Sequence, residues 1–190
     1  MWTTNLLVAM LLWCPASVNV REMLGQDKAT EPSAKTGQVH SQTPASIFRE
    51  VRPVLLRETH VPLRLPTFLP YLDDALPVYV NIRSADQFGY VLDLEYQKDC
   101  LGAYACTYAR FRGSSMPITV EKGDINIPVM LYGRINGYFV ANECGANCGE
   151  PIVEWSEDGF YYVIAMKAED KDTLVKVANS AIIVSRKNNR

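Results

Sequence analysis

Residues 90–96 alternate, with Tyr90, Leu92, Leu94 and Tyr96 on one parity and Val91, Asp93 and Glu95 on the other. A side-chain period of two belongs to a strand with one buried face and one face toward water. On that pattern Asp93 and Glu95 are expected on a solvated sheet surface. The same period recurs at 78–82, where Val78, Val80 and Ile82 alternate with Tyr79, Asn81 and Arg83, and again in Ile125, Ile127, Val129 and Leu131. Weaker strands are expected at 106–112 and 117–121. Asn136-Gly137 is the strongest hairpin signal and leads into a strand at 138–141; Asp158-Gly159 joins 152–155 to 160–166 in a second hairpin.

Helical spacing flanks this region on both sides. Thr43-Pro44 supplies a capping residue followed by proline at the first helical position, and Ile47, Phe48, Val51, Val54 and Leu55 then share one face. Pro53 kinks that helix or makes it restart. The prolines at 62, 66, 70 and 77 hold the following stretch extended, because residues before proline avoid the α region. Near the C-terminus Asp170 or Asp172 caps a helix in which Leu174, Val177, Ala178 and Ala181 share a face. The fold class expected is α+β: an antiparallel sheet of about 7–8 strands with an N-terminal and a C-terminal helix packed on it.

Two segments precede that domain. Residues 1–18 contain no charged side chain, and an apolar run from Leu6 to Val18 ends near Pro15, Ala16 and Ser17. This fits a signal peptide cleaved near residues 16–18, although its first five residues carry no Lys or Arg. The run is too short to span a bilayer comfortably. Residues 19–42 have no aromatic residue and no period, and are expected to form a flexible tether to a single globular domain at 43–190. Export also decides how the five cysteines are read. Loss of the leader removes Cys14 and leaves Cys100, Cys106, Cys144 and Cys148, an even set in a compartment where disulfides persist. Three pairings are open, and the spacing favours two local loops, Cys100–Cys106 and Cys144–Cys148. A four-thiolate zinc site fits poorly, since only the second pair has zinc-ribbon spacing. Redox catalysis fits poorly too, because neither pair is a C-x-x-C.

The net charge of −2 argues against a dominant nucleic-acid footprint. The imbalance sits in the sheet region, where residues 71–190 hold twelve Lys/Arg against sixteen Asp/Glu. Of the two histidines, His40 falls in the tether and His60 in the proline-rich run, so no catalytic triad is legible. No nucleophile elbow, P-loop, dinucleotide fingerprint or zinc-protease motif occurs. Asp73-Asp74 reads as a solvated turn. No catalytic residue, metal site or cofactor is therefore assigned. The aromatics concentrate in the sheet region, and Trp155, Tyr161 and Tyr162 are the candidate ligand-contacting side chains if one sheet face is left open.

The stretch from His60 to Ala181 carries VPLRLPTFLP, QFGYVLDLEY followed by Cys100 and Cys106, INGYF, and IVEWSEDGFYYVIA followed by DTLVKVANSA. In these segments, above all the spacing of Trp155, Gly159 and Tyr162, the chain resembles exported bacterial proteins of unknown function. The resemblance implies a periplasmic or extracellular α+β domain and brings no catalytic residues with it. The functional expectation is a non-enzymatic binding or envelope-associated module whose partner is a glycan, a lipid or an envelope protein, and not a nucleic acid. Membrane contact would run only through the leader. The alternative is an exported hydrolase or thiol-dependent enzyme, which needs His60 or a cysteine to meet a nucleophile, base or carboxylate in a cleft.

Overall fold

A computed structural model describes residues 45–70, 77–100, 102–118, 126–141, 149–167 and 169–188. The leader, the tether, the Asp73-Asp74 pair, Cys144 and Cys148 lie outside the described residues.

Seven strands form one sheet: β1 (Tyr79–Asp86), β2 (Gly89–Glu95), β3 (Thr107–Ser114), β4 (Asn126–Leu131), β5 (Ile135–Val140), β6 (Ile152–Glu157) and β7 (Phe160–Met166). Their spatial order is β1-β2-β3-β7-β6-β5-β4, and every neighbouring pair is antiparallel. Two meanders thus meet at the β3–β7 seam, and the β3–β4 connection crosses from the middle of the sheet to its far edge. Both edge strands are interrupted. β1 carries an extra residue between Ile82 and Ser84, and β4 has Pro128 at its centre, where no N–H can be offered to another chain.

Two α-helices flank the sheet in sequence, α1 (Arg52–Glu58) and α2 (Lys171–Asn188). A short 3-10 turn at Ser46–Phe48 precedes α1, and Pro53 lies in the first turn of α1, so the chain restarts its helix at the proline where the missing N–H costs nothing. Asp170 caps α2: its Oδ1 accepts from the Thr173 N–H at 2.8 Å. The face of α2 formed by Leu174, Val177, Ala178 and Ala181 is fully buried. Leu174, Val177 and Ala178 share a single apolar core with Phe48, Leu55, Tyr90, Leu92, Leu94, Phe111, Trp155 and Tyr162. Phe48 meets Phe111 edge to face at 5.6 Å.

Turn chemistry divides the two expected hairpins. Asp158 and Gly159 both have positive φ, 53° and 82°, the geometry of a two-residue turn whose twist matches its strands. Asn136-Gly137, by contrast, is not a turn. Both residues lie inside β5, opposite Met130 and Trp155, and the chain reverses at Tyr132–Arg134, where Gly133 and Arg134 take positive φ. The Gly-Arg pair reverses the chain just as well, and cross-strand pairing then makes Asn136-Gly137 the second and third residues of the next strand. Residues 117 and 118 belong to no strand.

Candidate ligand site on the open sheet face

Period-two alternation sends Tyr162, Ile164 and Met166 of β7 into the main core, and Tyr161, Val163 and Ala165 to the opposite face. There Val140, Ile152, Val163 and Ala165 form a second small apolar cluster with Ile118 packed against it. The register generates continuous cross-strand rows on this face. Asn81, Asp93, Arg110, Ala165, Ile152 and Val140 form one row. Val91, Arg112, Val163, Glu154 and Tyr138 form the next.

Within the first row the expectation of a solvated surface fails. Asp93 and Glu95 are both completely buried. Arg110 Nε donates to Asp93 Oδ1 at 2.6 Å and Arg110 Nη2 to Asp93 Oδ2 at 3.0 Å, while Arg83 Nε lies 3.5 Å from Oδ2. Glu95 accepts from the Gly102 N–H at 2.7 Å and from the Asn81 amide. The reason is register: β1 and β3 present cations and amides on both sides of β2, and a buried carboxylate is tolerated when it is paired and hydrogen-bonded. The hydrogen bond to Asp93 holds the Arg110 guanidinium above its ordinary value. Burial raises the Glu150 carboxyl, opposed by Arg110 and Lys167. The sulfurs of Cys100 and Cys106 lie at disulfide-bonding distance, with Cα atoms 6.1 Å apart, and close the loop that brings the Gly102 amide to Glu95.

The second row is different. A depression of about 330 Å³ opens over it, walled by Ile118, Asn136, Tyr138, Glu154, Ser156 and Tyr161. Glu154 stands directly opposite Tyr138 on β5 and Val163 on β7, and Tyr161 stands opposite Ser156. Among the described residues the Glu154 carboxylate has no ion pair or side-chain hydrogen bond. A smaller depression of about 180 Å³ adjoins it across Ile118 and is lined by Phe88, Val91, Arg112, Ser114 and Met116. Arg112 also has no ion pair among the described residues. Burial, and then the neighbouring Arg110, hold its guanidinium below its ordinary value.

The three candidate aromatics separate between the faces. Tyr161 borders the open depression. Trp155 and Tyr162 border it only through their strands: their rings stack at 5.2 Å inside the core, and Trp155 is 5% and Tyr162 1% exposed. The Tyr162 hydroxyl donates to the Pro62 carbonyl at 3.1 Å, and Arg64 lies 5.3 Å over its ring. Arg64 is itself buried, with Nε and Nη2 each 2.9 Å from Glu157 Oε2; this pair ties the proline-rich run to the β6–β7 hairpin. Among the described residues Arg64 Nη1 and Trp155 Nε1 have no hydrogen-bond partner. The Tyr90 hydroxyl accepts from the Arg64 N–H at 3.0 Å, and burial pushes its pKa up to about 12. His60 is exposed.

Glu154, Arg112, Tyr138 and Asn136 had no standing as a site in the sequence. Glu154 and Ser156 could be placed on the polar side of an alternating strand, but the neighbours they meet on β5, β7 and β3 come from pairing alone. No protein family matches this chain, and no curated protein or solved structure matches it at a significant level.

Proposed function

We propose that the chain is an extracytoplasmic, non-enzymatic binding module whose ligand seats on the sheet face away from α2. One observation carries this reading: the depression over β5, β6 and β7 combines two tyrosines with a carboxylate, an amide and a hydroxyl that have no side-chain partners in the described fold. Pockets that bind small ligands are apolar hollows with a few convergent polar groups, and this one has that composition. The charged groups deeper in the fold, Asp93 with Arg110 and Glu157 with Arg64, are already committed to each other. The uncharged apolar run from Leu6 to Val18 and the Cys100–Cys106 pair support the compartment. An N-terminal helix packed on the sheet beside α2 belongs to the same reading.

The test is a screen of glycans and lipids against the full chain by calorimetry, beside Tyr161→Ala and Trp155→Phe. Binding that Tyr161→Ala removes and Trp155→Phe leaves intact is expected. Binding insensitive to Tyr161→Ala places the ligand elsewhere and overturns the site. A mass spectrum of the protein from its own cells should show an N-terminus near residues 16–18, and an intact Met1 would overturn cleavage.

A further inference from the structure

The two adjoining depressions hold opposite charges on one cross-strand row, neither of them ion-paired among the described residues. Arg112 pairs in register with Val163, and Val163 pairs with Glu154. Neighbouring strands lie about 4.8 Å apart, which sets the Cα atoms of Arg112 and Glu154 roughly 10 Å from each other with one valine between them. The two side chains form no ion pair, although the row beside them compensates its charges fully through Arg110 and Asp93. Glu154 is flanked by Tyr138 and Tyr161, whose ring faces attract cations. Arg112 shares its hollow with the Ser114 hydroxyl; among the described residues the carboxylate that lines it, Asp86, already accepts from the amides of Phe88 and Gly89 at 2.8 and 3.1 Å. Ile118, packed on the face between the two hollows, makes the floor uneven and apolar.

We propose that these hollows form one site for a zwitterion: an ammonium group against Glu154 between the two tyrosines, an anionic group, carboxylate or phosphate, against Arg112, and an apolar linker lying along Val163 and Ile118. This rests on the binding-module reading above and names its ligand class. A simple cation or a simple anion would neutralise one end and leave the other charge half-buried and unpaired. The ridge at Ile118 suits a slender ligand better than the flat face of a second copy, which would offer the same two charges.

Calorimetry on the full chain with 6-aminohexanoate, hexylamine and hexanoate tests the class directly, since the three share a linker and differ in their ends. The zwitterion should bind at least about tenfold more tightly than either single-charge probe. Glu154→Gln should bring it down to the level of hexanoate, and Arg112→Gln to that of hexylamine. Retention on phosphatidylcholine vesicles that both variants abolish would give the zwitterion a lipid-headgroup source; absence of retention with 6-aminohexanoate bound gives it a free one. Equal affinity for all three probes, or binding unchanged in both variants, overturns the proposal. So does sedimentation showing a dimer that Arg112→Gln dissociates. Should 6-aminohexanoate fail while a screened glycan is lost on Tyr161→Ala, the zwitterion falls and the binding module stands. Failure of every probe removes both.

Discussion

Arg110 and Arg112 lie two residues apart on β3 and on the same face of the sheet, yet they do opposite things. Arg110 faces Asp93 across β2 and is held by two hydrogen bonds, at 2.6 and 3.0 Å. Arg112 faces Val91 on one side and Val163 on the other and finds no counterion among the described residues. Nothing in the local sequence separates them. The cross-strand neighbour does, and it converts one arginine into a structural tie and leaves the other with its charge available in a hollow. A charge on a sheet face is therefore neither solvated nor functional by default; its register partner decides.

The comparison breaks most visibly under truncation of Arg110. Arg110→Ala should destabilise the fold by about 3 kcal/mol in a denaturant titration, because it removes both guanidinium hydrogen bonds from a buried carboxylate and leaves it, among the described residues, the longer 3.5 Å ion pair with Arg83. That is the low end for buried pairs, since Arg110 is itself about a third exposed. A loss comparable to that of Arg112→Gln would erase the distinction. Next to Arg112, on the core side of β3, Gly113 is covered by a ring: an added Cβ would come within 2.5 Å of Tyr90 Cε1. Gly113→Ala should cost about 1–3 kcal/mol by overpacking, read as a lower melting temperature. Replacing Cys100 and Cys106 with serine should lower stability by roughly 2 kcal/mol, the entropy of a short closed loop, and reductant should then have no further effect on that loop. Arg112→Gln belongs at the small end, within about 0.5 kcal/mol, as for a half-buried group that has no ion pair to lose among the described residues.

A last test vanishes at neutral pH. Burial raises Tyr90 from 10.0 to about 12, and raises Tyr162 as well. The unfolded chain then releases these protons first, so stability is complete below pH 10 and declines as pH rises toward 12. Tyr90→Phe should flatten that alkaline decline, measured by urea midpoints across the range. An unchanged slope would show that Tyr90 ionises as easily in the fold as outside it.

Much of the architecture was readable before any contact was known. The alternation at 90–96 became β2, the Asp158-Gly159 turn joined β6 to β7, and the face of Leu174, Val177, Ala178 and Ala181 became the buried side of α2. These are local signals: a period, a turn that needs positive φ, a cap. The hairpin expected at Asn136-Gly137 failed because a turn-forming dipeptide is also tolerated within a strand, and Gly133 was available three residues earlier.

Long-range pairing decided everything else. The sequence determined that Asp93, Glu95, Arg110, Arg112 and Glu154 fall on the polar parity of their strands, and that Trp155 and Tyr162 belong to alternating aromatic runs. Only the tertiary structure placed β7 between β3 and β6, which set Val163 between Arg112 and Glu154 and buried Asp93 against Arg110. Alternation is written in the covalent order of one strand. Register is a relation between strands separated by dozens of residues, and the free energy that selects it is spread over the whole buried face.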